Sequence, residues 1–160
     1  MMNANCFQTK FKQKETSITA KNQKLMHEWW YTNLITIDEM EAMLDEIAEE
    51  LPHEFYKDLN GGIILLPEIK LHTESKGNDL YILGEYHHGG NLGSFIAIYY
   101  GSFTHVHGNL SKDQLKEELK STLKHEFRHH LESLAGVRDL EIEDVQDIAE
   151  YINRKNKRGK

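Results

Sequence analysis

Five consecutive residues, His125-Glu126-Phe127-Arg128-His129, hold the clearest chemistry in this sequence. Two histidines four positions apart fall on one face of a helix, a turn from each other, with an acid directly after the first. Imidazoles at that spacing suit two positions of a tetrahedral zinc ion, and a carboxylate beside them suits a general base. The expected reaction is hydrolysis of a peptide bond. His125 and His129 bind the metal, and Glu126 takes the proton of an activated water and passes it to the leaving amine.

A catalytic zinc takes three protein ligands and keeps one position open. Glu132 shares the histidine face, but seven residues of helix raise it about 10 Å above His125, and three ligands on one convex rod cannot enclose an ion. The third ligand is therefore expected past the helix end, where the chain folds back. Asp139, just beyond Gly136, is the best placed, with Glu143 and Asp144 as the alternatives.

The remaining histidines have plainer readings. His105 and His107 share one face of an expected strand and are read as surface groups, and His87 and His88 fall in a turn. His130 points to the core side of the helix and is read as packed and bonded to a carbonyl. Tyr86, Tyr99 and Tyr100 are read as sheet packing.

The elements that must position this motif can be taken in chain order. Thr36 and Glu39 form a capping box, followed by an apolar stripe of Met40, Met43, Leu44, Ile47 and Leu51 that Pro52 interrupts. A further helical stretch is expected over 53–59, with Asn60-Gly61-Gly62 as a left-handed stop. Residues 62–66 form an apolar, β-branched run ended by Pro67, read as a buried strand. Strands are expected over 80–86 and 95–103, paired as an antiparallel hairpin across His87–Asn91, with an edge strand near 70–72. Ser111 and Gln114 form a second capping box, opening the central helix, whose buried stripe is Leu115, Leu119, Leu123 and Leu134. Gly136 stops it. Leu140, Ile142, Val145, Ile148, Ala149 and Ile152 mark a last amphipathic helix expected to pack back on the domain.

Composition sets the bounds. At 160 residues, 39% hydrophobic and 28% charged, the chain fits a single soluble domain with one core. No secretory signal and no membrane span is visible, and the one cysteine, Cys6, excludes a disulfide framework and a cysteine-rich metal site. A cytoplasmic protein is expected, and its zinc must be held by His, Asp and Glu. Residues 1–24 carry five lysines and one acid, and 154–160 carry five bases. Removing those +4 and +5 from the overall −7 leaves −16 for the middle, a surface that repels phosphate backbones. The expected partner is a peptide or protein substrate, with no nucleic acid and no membrane.

The run His125 to His130, with Gly136 and Asp139 after it, resembles the minimal zincin (MMP-like) family of small bacterial metallopeptidases, whose pattern is H-E-x-x-H-H with a later G-x-x-D. The likeness spans about residues 36–152. Leu131–Ala135 lengthen the gap to the glycine relative to that pattern. The resemblance implies an α+β, zincin-like fold, with a small mixed or antiparallel sheet packed on a long catalytic helix and flanking helices. The likeness leaves the ends out; their composition and charge are read as a disordered basic arm, 1–30, and a basic tail, 154–160, around a domain over 31–153. Zincins bind substrate as an extended strand along a sheet edge, here 80–86 or 95–100. Two other readings share the motif: a regulatory protease that cleaves one partner protein, and a metal-stabilised binding module without turnover.

Overall fold

Residues 35–91 and 93–158 are described by the computed structural model, with helices and two small sheets in an α+β arrangement. The basic arm and the Trp29-Trp30 pair lie outside the described residues. Helix α1, Ile37–Glu49, opens on the Thr36–Glu39 capping box, with both reciprocal hydrogen bonds formed. It buries Met40, Leu44 and Ile47, the spacing its stripe demands. Pro52 then allows only one 3-10 turn, His53–Tyr56, in place of the longer helix expected over 53–59. The left-handed residues that turn the chain are Asp58 and Gly62, at φ 61° and 66°, rather than the expected Asn60-Gly61-Gly62 run.

The main sheet holds strand β1 (Gly62–Leu66), strand β4 (Gly84–His87) and strand β5 (Phe95–Tyr99), in the order β1-β5-β4. The β4–β5 pair is the expected antiparallel hairpin. β1 joins it in parallel, from Gly62 opposite Phe95 to Leu66 opposite Tyr99, which makes the sheet mixed. Strand β2 (Lys70–Leu71) and strand β3 (Tyr81–Ile82) form a separate two-stranded ribbon.

The strand expected to run to Phe103 stops at Tyr99, and helix α2, Tyr100–His107, replaces its second half. The alternation of apolar residues continues through Phe103, but Gly101 alters the backbone's options. A Cβ there would stand 2.7 Å from the Glu68 carbonyl carbon, so only glycine lets the chain bend against that segment. Phe103 turns into the core, and the Thr104 hydroxyl donates back to Tyr100 and Gly101, both at 3.1 Å. His105 and His107 therefore sit on a helix, against Tyr81 and Phe103 respectively.

Helix α3, Lys112–Ala135, begins at its predicted capping box and ends at Gly136, φ 70°. Its buried stripe is Leu115, Leu119, Leu123, Phe127 and His130, with Glu126 among them. Leu134, expected in that stripe, is 43% exposed. It lies one turn past His130, in the last turn of the helix.

Helix α4, Asp139–Arg158, packs against α3, and takes in most of the stretch read as a basic tail. The face it turns inward takes in only part of the apolar stripe read from the sequence. Leu140 is buried and Ile148 and Ile152 are half-buried, but Ile142 is 56% and Val145 68% exposed. Asp144 and Tyr151, four residues before and three after Ile148, share the inner face. No helix among the described residues is long and apolar enough to cross a membrane.

The core unites α1, β5 and α3 around Phe127, which is fully buried and edge-on to Tyr56 at 5.1 Å. Phe127→Ala is expected to lower unfolding stability by about 3–5 kcal/mol, read from urea denaturation.

Candidate metal centre

The capped start and long register of α3 fix where each turn points. At about 100° per residue, Glu126 lies about 20° round from Leu115, inside the buried stripe, while His125 and His129 fall on the neighbouring face. That face is open: a cleft of about 650 Å³ runs between α3, the β3–β4 segment and α4. His125, Glu126 and His129 all line it.

The two imidazoles stand edge to face, ring centroids 4.9 Å apart. The third group at this point is Asp144. One carboxylate oxygen lies 3.0 Å from His129 Nε2, and the other 3.7 Å from His125 Nε2. One donor atom from each of the three residues lies within 4.8 Å of the others. In a tetrahedral zinc site with bonds of about 2.0–2.1 Å, donor atoms stand about 3.3 Å apart, so this donor set fits with small side-chain adjustments.

Asp139, the expected third ligand, is not brought to the pair. It is the first residue of α4, beside the turn that ends α3, whereas the histidines lie further down the helix. Glu143, the other alternative, points at Arg128 Nη1, 3.5 Å away. Arg128 also donates to Glu132, whose second oxygen accepts the backbone N–H of Leu140 at 2.9 Å. Glu132, excluded as a ligand from the sequence, thus ties the start of α4 to α3.

Glu126 is 6% exposed, although it is an acid. It lies directly under β4, where Gly84 leaves room for it. A Cβ on Gly84 would come within 3.0 Å of Glu126 Cγ and of Thr122 Cγ2, and 3.1 Å from Glu126 Oε1. Burial pushes the Glu126 carboxyl up to about 7, against the opposing pull of a backbone hydrogen bond at Tyr86. The nearby charges of Asp144 and Glu85 raise it further. Burial likewise lowers the His125 pKa, partly opposed by Asp144.

Behind Glu126, His130 is wholly buried, with Nε2 at 2.7 Å from the Lys57 carbonyl oxygen. A carbonyl can only accept, so the ring carries a proton on Nε2, and Nδ1 lies 3.3 Å from the Tyr86 hydroxyl. That is the packed, carbonyl-bonded role read for His130. The Tyr86 hydroxyl is engaged by His130 and Ser94, and Ser94 also meets His88. His88 is exposed beyond the end of β4, as read for a turn residue, and also joins this polar network.

No protein-family model and no curated protein matches the chain. Among solved structures, a conserved hypothetical protein from Thermo thermophilus matches at 36% identity with a TM-score of 0.56, covering 63% of this chain and 98% of that one. The chain belongs to the same family as that protein. The two therefore share a fold across nearly the whole length of the thermophile protein.

Gly84 and Thr122 are the site residues that sequence reasoning did not single out, and Asp144 stood there only as an alternative to Asp139. The signal for Gly84 is a lone glycine inside a strand pattern, which marks a close backbone approach.

The Glu126 carboxyl has a folded pKa above its ordinary value of 4.5. Its protonated form favours the folded chain, so this contribution is present below pH 4.5 and is lost as the pH rises through 7. In metal-free protein Glu126→Gln is expected to gain about 3 kcal/mol relative to wild type between pH 5 and pH 8, measured by urea unfolding in chelator. Gly84→Ala is expected to cost about 1–3 kcal/mol in the same assay, because the neighbours it strikes are a buried helix face.

Proposed function

We propose that this protein is a zinc-dependent metallopeptidase of the minimal zincin type, with His125, His129 and Asp144 as its metal ligands. The observation that carries this reading is the meeting of three donor groups at the wall of a cleft, directly beside a buried acid. A module that held metal only for stability would close its ligand sphere, whereas these donors face the cleft. Zinc at these donors would supply Lewis acidity, acidifying water and polarising a carbonyl oxygen.

The chain's own groups account for the rest. Glu126 accepts the proton of the attacking water at a carboxylate oxygen and delivers it to the nitrogen of the leaving amine. Burial raises the pKa of this carboxyl in the metal-free chain, and the positive charge of a bound zinc would lower it again toward the carboxylate form that accepts the proton. Gly84 and the Tyr86 backbone hold the carboxyl in place. Among the described residues β4 has only β5 as a neighbour in its sheet, which leaves its outer edge for an extended substrate to pair with. That supports the 80–86 side over the 95–100 side, because β5 lies between β1 and β4.

The test couples metal analysis to peptide hydrolysis. Wild type is expected to bind one zinc per chain. His129→Ala and Asp144→Ala are expected to lose it, while Asp139→Ala keeps it. Glu126→Gln is expected to retain zinc and lose about 10²–10⁴-fold in hydrolysis rate. Zinc retained in Asp144→Ala, or full hydrolysis by Glu126→Gln, would refute the assignment.

A further inference from the structure

One end of the cleft is tied shut. Leu80 and Ile148 line its opposite walls. Immediately beyond them, the walls are joined by a set of polar contacts between the β2–β3 loop and the distal half of α4. The Tyr151 hydroxyl donates to Asp79, and accepts the backbone N–H of Lys76 at 2.8 Å. Lys155 pairs with the other oxygen of Asp79, and Lys76 Nζ donates to Asn156 at 2.8 Å. Asp79 is next in the chain to Leu80, and Tyr151 follows Ile148 by one helical turn. The opposite end of the cleft, beside Glu141, carries no such bridge among the described residues.

The distance from metal centre to bridge is short. Tyr151 follows Asp144 by seven residues of helix, a rise of about 10 Å. An extended peptide advances about 3.3 Å per residue, so about three residues fit between the two. The charge lining the cleft is also one-sided. Glu85, Glu141, Asp144 and Asp147 line it with the imidazole of His72, and no lysine or arginine does. Of the bridge lysines, Lys155 pairs with Asp79, and Lys76 donates to the neutral amide of Asn156. A free peptide carboxylate would face the acids of the lining, while a free amino terminus would be attracted.

We propose that the bridged end makes the protein an end-directed peptidase, which takes a substrate's free amino terminus against the Asp79–Tyr151 bridge and releases about one to three residues from it. This rests on the metallopeptidase reading above and specifies its substrate class. Water adds across the peptide bond, so the released piece gains a carboxylate and the remaining chain gains a new amino terminus.

The experiment incubates the zinc-loaded, full-length protein with synthetic 14-residue peptides, each in free and amino-acetylated form, and maps products by mass spectrometry. Fragments of one to three residues from the free amino end are expected, with acetylation slowing cleavage at least tenfold. The double variant Asp79→Asn/Tyr151→Phe is expected to move cleavage into the peptide interior and lift the discrimination against acetylation. Wild-type cleavage far from both ends, release of carboxyl-terminal fragments, or equal rates on acetylated peptides would overturn the inference while leaving a peptidase. No cleavage of any peptide by zinc-loaded wild type would overturn the peptidase reading and this inference with it. If the double variant does not fold, the wild-type product map still decides.

Discussion

The close approach of helix α3 to strand β4 at Gly84 is the contact on which the site depends. Because residue 84 has no side chain, the strand backbone settles directly onto Glu126 and Thr122. That places the long helix beneath an edge strand rather than under the middle of the sheet. One helix face then joins β5 and α1 in the core, and the next face, carrying His125 and His129, looks out past the edge into the cleft. A side chain at position 84 would separate helix from strand, and the histidine face would lose its fixed distance from the strand edge beside it.

The same contact explains an acid in a hydrophobic stripe. Burying a carboxylate without a cation is unfavourable, and the fold accommodates it by raising its pKa to about 7. Only the backbone at Tyr86 works in the other direction. The apolar packing of Leu119, Leu123 and Phe127 on either side of it holds the helix in place regardless of that unfavourable burial. Stability supplied by the core is thus what permits a functional group to sit in a position that is locally unfavourable.

Much of this was legible in the sequence, for local reasons. The two capping boxes, the stop at Gly136, the β4–β5 hairpin and the span of β1 each depend on residues adjacent in the chain. The histidine pair and Glu126 were legible because helical geometry fixes their relative placement without any tertiary knowledge. Two of the misreadings involve a choice that distant contacts make. Tyr100 to Phe103 continue a strand pattern, and become helix because Gly101 must clear Glu68. Ile142 and Val145 form a regular apolar stripe, yet the Glu132 carboxylate and Asp144 commit the other face of α4 to α3.

The meeting of Asp144, rather than Asp139, with the histidine pair follows from the geometry of a helical hairpin. α3 and α4 run antiparallel across the turn at Gly136–Arg138, with Val137 N–H bonded to the Glu132 carbonyl at 3.0 Å. In such a pair, residues equally far from the turn stand opposite one another. His129 lies eight positions before Val137 and Asp144 seven after it, so they face each other, at 3.0 Å between Nε2 and Oδ2. Asp139, two positions after, faces the last turn of α3 instead. The nearest acid past the glycine is therefore the wrong one whenever the returning segment is a helix rather than a loop. A returning loop could bend Asp139 back to the histidines; a returning helix adds only about 1.5 Å per residue, and must continue until it draws level with them.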